Sequence, residues 1–109
     1  MQSTATSFSS KLFLFLCMLL FITAVVGGGT NEDYEEGAEL YDLSCANCHG
    51  KNMVNVGTAS FKLKEFPADK KDRFIESVSK GKGFMPAFGK IFDADEIEQL
   101  WLYVSRNHN

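Results

Sequence analysis

The chain predicts an all-α domain of three main helices joined by loops, and three observations carry that prediction. Apolar residues recur at helical spacing, most clearly as Ile97, Leu100, Trp101 and Val104, which follow an i, i+3, i+4, i+7 pattern. Residues suited to helix ends sit where such runs start and stop, with Asp93 opening the last run and Gly81 following the middle one. Glycine and proline gather between the runs, three glycines and Pro86 falling within residues 81–89. The chain contains no repeat and no low-complexity tract.

Residues 1–27 stand apart from this pattern. Leu12 to Val26 form a 15-residue run without charge, with Lys11 before it and Gly27-Gly28-Gly29 after it, which matches a secretory signal peptide. The run falls short of the ~20 apolar residues of a membrane span, and an uncleaved N-terminal anchor is the alternative. Val25-Val26-Gly27 offers a small-residue cleavage site, with Gly29 as a second. Cys17 lies inside the run behind Leu16 and is read as an apolar residue rather than a lipidation site. Export implies a periplasmic location, with residues 28–109 as the single mature domain and Cys45 and Cys48 as its only cysteines.

The first helix is expected from near Asn31 to Cys45, with Asn31 as cap and Glu32, Asp33, Glu35 and Glu36 toward its positive end. Gly37 interrupts this helix at a cost of about 1 kcal/mol relative to alanine. Either another backbone comes close there, or the glycine lies on the surface. Lys51 to Phe66 read as an extended loop. The second helix is expected from Pro67 to Lys80, because proline is tolerated in a first turn and Gly81 suits the position past the end. Its apolar face is Phe74, Ile75 and Val78. The third helix opens at Asp93, with Glu96 three residues on as in a capping box.

A domain of 82 residues buries a limited share of its surface and usually needs a staple or a cofactor. Cys45-Ala46-Asn47-Cys48-His49 supplies the means, since C-x-x-C-H is the sequence at which haem is attached covalently. Positions i and i+3 share one face of a helical turn, so Cys45 and Cys48 can reach two vinyl groups on one edge of a porphyrin. His49 follows as the proximal axial ligand, and Gly50 lets the backbone turn away. Two other readings use the same residues. Structural zinc needs four ligands, and only Cys17 and His108 remain to complete a set. A thioredoxin-like dithiol needs a βαβ setting, whereas the residues before Cys45 read as helix.

The second informative stretch is Gly81-Lys82-Gly83-Phe84-Met85-Pro86-Ala87-Phe88-Gly89. It is a loop by composition, yet Phe84, Met85 and Phe88 call for something apolar to receive them. A thioether is a soft ligand for haem iron, and a His/Met pair raises the reduction potential. Core filling is the other use of such a methionine.

Helix, CANCHG, long loop, helix, GKGFMPAFG and an aromatic-rich last helix together resemble a small class I cytochrome c over essentially the whole mature chain. The resemblance implies the small cytochrome c fold wrapped around one covalently attached haem c. Cys45 and Cys48 would form the thioethers, with His49 and Met85 as axial ligands. It also implies that Gly37 and Tyr41 meet Leu100 and Tyr103 where the first and last helices cross. One departure stands out: the family often places a proline in the loop after the motif, whose carbonyl orients the histidine, and none occurs between Gly50 and Phe66. Another carbonyl must then fix the His49 ring. Met53, a rival ligand, lies too near His49 in sequence to reach the opposite haem face easily.

With both axial positions filled, the resemblance implies an electron carrier and not an enzyme. Its partners would be redox proteins, and the carrier is expected to be a monomer. The run from Phe61 to Pro67, the GKGFMPAFG loop and Leu100 to Val104 are similar to small periplasmic cytochromes that accept electrons from PQQ-dependent alcohol dehydrogenases, ahead of a terminal oxidase or a downstream cytochrome. The methionine loop also resembles that of a photosynthetic carrier, so a general respiratory or photosynthetic role is the alternative. A haem-based ligand sensor or a CxxC metal-binding module would be a different class. The mature segment carries a net charge of −4 before two haem propionates, which excludes nucleic acid as an expected partner. Lys51, Lys82 and Lys90 fall near the two haem loops and offer a cationic rim for an acidic patch, with Ala87 and Phe88 as apolar parts of that rim.

Overall fold

The computed structural model describes residues 29–108, and within them the first helix, α1 (Asn31–Ser44), is capped by Thr30 rather than by Asn31. The Thr30 hydroxyl accepts from the Asp33 N–H at 3.1 Å, and the Asp33 carboxylate accepts from the Thr30 N–H at 2.6 Å. This reciprocal pair satisfies two donors that a helix start otherwise leaves free. Asn31 becomes the first helical residue because Thr30 has its bonding partner three positions on.

α1 ends at Cys45, and a short α2 (Ala46–His49) continues the chain through the motif. The Cys45 N–H donates to the Tyr41 carbonyl at 2.8 Å, and the His49 N–H donates to the Cys45 carbonyl at 2.9 Å. Residues 51–66 form no long element but hold two 3₁₀ turns, Lys51–Met53 and Leu63–Glu65. Asn52 and Met53 both take left-handed backbone angles, φ 53° and 59°. Burial of the Met53 side chain, 2% exposed, offsets that local cost.

The helix expected from Pro67 begins four residues later, as α3 (Lys71–Lys80). Pro67 starts a turn instead, whose carbonyl accepts from the Lys70 N–H at 3.1 Å. Phe66, packed edge-on against Phe74 and Trp101, anchors the chain ahead of that turn. α4 (Ala94–Arg106) opens as its sequence predicts, with Asp93 and Glu96 exchanging bonds at 2.8 and 2.9 Å.

The core forms where α1 crosses α4. A Cβ built on Gly37 would run into the Gln99 carbonyl, so the mid-helix glycine lets two backbones touch. One turn on, the Tyr41 and Tyr103 rings sit 5.1 Å apart, with Leu100 and Val104 buried beside them. The expected meeting of Gly37 and Tyr41 with Leu100 and Tyr103 is therefore found. Phe74 and Val78 bury the inner face of α3, whereas Ile75 stays half-buried. Among the described residues the one β pairing is an isolated bridge, and no helix is long and apolar enough to cross a membrane. The predicted leader and Cys17 lie outside the described residues.

Candidate functional site

Cys45 sits at the junction of α1 and α2, half-buried against the core, and Cys48 lies exposed one turn later. Both cysteines are unpaired. Burial first, and the neighbouring Cys48 second, push the Cys45 thiol up to about 11. The thiol therefore stays protonated near neutral pH. Among the described residues no three His, Cys, Asp or Glu side chains gather to hold a metal ion, and no strand supplies the setting of a thioredoxin-like dithiol.

Two bonds fix the motif to its surroundings. Tyr41, wholly buried, donates its hydroxyl to the Gly50 carbonyl at 2.8 Å. Burial raises the Tyr41 pKa well above that of a free phenol, so this donor stays neutral. His49 Nδ1 lies 3.0 Å from the Phe61 carbonyl. A carbonyl can only accept, so Nδ1 carries the hydrogen and Nε2 is left with its lone pair for a metal. Phe61 thus fills the place of the absent proline carbonyl. Gly50 takes φ 84°, and a Cβ there would strike the Val54 carbonyl.

The methionine loop is a tight hairpin. Lys82 and Met85 exchange backbone bonds at 3.0 and 3.1 Å around Gly83 and Phe84, with Gly83 at φ 60°. The Phe88 and Gly89 N–H groups then donate to the carbonyls of Val78 and Ser79 at the end of α3, at 2.8 and 3.1 Å. Met85 and Cys45 are both half-buried against the same core cluster. Phe88 stacks on Phe92 at 5.5 Å. Phe84, at the hairpin tip, is fully exposed among the described residues. Met53, in contrast, is committed to the core.

Comparison with known proteins decides the family. Residues 32–104 match the family model described as cytochrome c oxidase, cbb3-type, subunit III. The chain is 38% identical over 73 residues to a cytochrome c6 from Microcystis aeruginosa, covering 63% of this chain and 90% of the relative. It is 35% identical over 96 residues to a cytochrome c6 from Rippkaea orientalis, covering 84% and 82%. The chain belongs to the class I c-type cytochromes. This cytochrome also matches a quinohemoprotein alcohol dehydrogenase from Pseudomonas putida, 31% identical over 69% of this chain but 11% of the relative. No solved structure matches it significantly.

The c-type cytochromes carry covalently bound haem c, and this one is an electron-transfer protein rather than an enzyme. Its residues fit such a group. Two free thiols on one turn, an imidazole with Nε2 available and a thioether are the donor set that haem attachment and ligation use. Val54 and Phe61 in the first loop and Phe84 in the second are exposed apolar side chains, of the kind a large apolar macrocycle would cover.

Sequence reasoning missed Asn55, Ser60 and the Phe61 carbonyl. Ser60 Oγ donates to the Cys48 carbonyl, and the Asn55 amide donates to the Ser60 carbonyl at 2.7 Å and to Ser60 Oγ at 3.2 Å. No sequence pattern announces a backbone acceptor or a loop bond at this spacing. Around the site the cytochrome keeps unpaired cations: among the described residues Lys62, Lys70, Lys71 and Lys80 form ion pairs, whereas Lys51, Lys82 and Lys90 form none.

Proposed function

We propose that this cytochrome is an exported, periplasmic one-electron carrier whose haem is held by Cys45 and Cys48 and ligated by His49 and Met85. The bound haem supplies an Fe(III)/Fe(II) couple. The orientation of His49 carries the reading: the Phe61 carbonyl fixes Nδ1 at 3.0 Å and leaves Nε2 as the ligating atom. Met85 is pinned by its two backbone bonds to Lys82, which limits its freedom to swing away. With His49 and Met85 both holding the iron, the haem would keep no position open to a small molecule.

A general respiratory or photosynthetic carrier is the reading that the cytochrome c6 relatives support, because those matches extend over most of both chains. The match to a quinohemoprotein alcohol dehydrogenase favours a second reading, with a PQQ-dependent alcohol dehydrogenase as donor and a terminal oxidase or another cytochrome as acceptor. Stopped-flow mixing of the ferric protein with a reduced PQQ-dependent dehydrogenase separates the two. Saturable, fast reduction supports the dehydrogenase as donor, and reduction no faster than for an unrelated cytochrome removes it. Carbon monoxide tests the carrier itself: the ferrous protein should leave its spectrum unchanged under the gas. Ready carbon monoxide binding would mark Met85 as labile and favour a ligand sensor.

A further inference from the structure

We propose that Ser60 and Asn55 are positioning residues that hold the Phe61 carbonyl against His49 and thereby set the reduction potential of the iron, an inference that rests on His49 being the axial ligand.

Phe61 is 12 residues from His49, in a stretch, residues 54–62, that has no helix of its own. Something must hold that carbonyl in place. Ser60 Oγ bonds the Cys48 carbonyl while the Phe61 carbonyl bonds His49, so neighbouring residues on one strand of chain meet neighbouring residues on the other. The two bonds act as adjacent rungs between residues 48–49 and 60–61. Asn55 closes the loop behind them, donating to both oxygen atoms of Ser60. The roles are consistent: Ser60 Oγ accepts from Asn55 and gives its own hydrogen to Cys48.

Asn55 ties the loop to Ser60 by two bonds and Ser60 ties it to Cys48, so the place of the Phe61 carbonyl depends on both side chains. That carbonyl makes His49 a stronger donor. A ligating imidazole whose Nδ1–H is held by a carbonyl is more basic at Nε2, which favours the ferric state and lowers the potential.

The test uses the haem-loaded protein and three variants. Ser60→Ala removes the rung to Cys48 and one acceptor of Asn55. Asn55→Leu keeps a similar shape while removing both donor bonds. Ser60→Thr retains the hydroxyl. Spectroelectrochemistry should show the ferrous-to-ferric ratio of the Ala and Leu variants rising about tenfold at fixed applied potential, which is about 59 mV for one electron. Ser60→Thr should titrate with the wild type. Proton NMR should show the His49 Nδ1–H exchanging faster with solvent in the Ala and Leu variants only. If Ser60→Ala fails to retain haem, Asn55→Leu decides. An unchanged potential overturns the proposal, as does an equal shift in Ser60→Thr, which would assign the effect to packing. Failure of the underlying reading is distinct: the wild-type protein would then lack the spectrum of a His/Met-ligated haem before any variant was made.

Discussion

Replacing Gly37 with alanine sets two effects of opposite sign against each other in the middle of α1. Helix propensity favours alanine by about 1 kcal/mol. The structure opposes it, because the new Cβ would lie 2.6 Å from the Gln99 carbonyl carbon, where ordinary contact begins at 3.4 Å. Both sides of this contact are helix backbone, so no side chain can rotate away. The helices must separate, loosening Tyr41 and Leu100, which are at most 1% exposed. Overpacking costs about 1–3 kcal/mol, and a contact between two backbones belongs at the upper end of that range. The net loss is about 2 kcal/mol, which lowers the melting temperature of a domain this size by about 8–16 °C. Thermal unfolding followed by far-UV circular dichroism measures it. A melting temperature equal to or above that of the wild type would refute the argument and return Gly37 to a surface position.

Four other variants have outcomes that follow from the same geometry. Asp93→Ala breaks a two-way cap and should cost about 0.5–2 kcal/mol in denaturant unfolding, while leaving the visible spectrum unchanged. The bond from the Thr30 backbone holds the Asp33 carboxyl below its ordinary value of 3.8, so its contribution to stability is full above that value and is lost as pH falls through the lowered one. Asp33→Asn should flatten that acid limb, and an unaltered acid unfolding curve would contradict the assignment. Phe84→Ser, at a fully exposed tip, should change stability by less than about 0.5 kcal/mol yet slow electron transfer with an acidic partner. Lys82→Glu should slow it further and reverse its salt dependence.

Local signals were legible and distant ones were not. The start of α4 could be read from Asp93 and Glu96 because the whole cap lies within four residues. Thr30 and Asn31 are both good caps, and the choice between them turned on Asp33, which reads equally well as a residue placed for the helix dipole. Pro67 suits a first helical turn, but it also suits the turn that Phe66, anchored on Phe74 and Trp101, imposes before α3. The C-x-x-C-H and methionine motifs stand out in the sequence because ligand chemistry restricts residue type. The orientation of His49 does not, since a carbonyl belongs to every residue and only the path of the loop selects Phe61.

The central claim, a closed His49/Met85 haem, is tested most directly by the absorption spectrum of the protein recovered from the periplasm, beside that of Met85→Ala. A c-type pyridine haemochrome in both, with the far-red band of methionine-ligated ferric haem in the wild type alone, is the predicted result. Survival of that band without Met85, or absence of covalent haem from the wild type, would contradict the assignment.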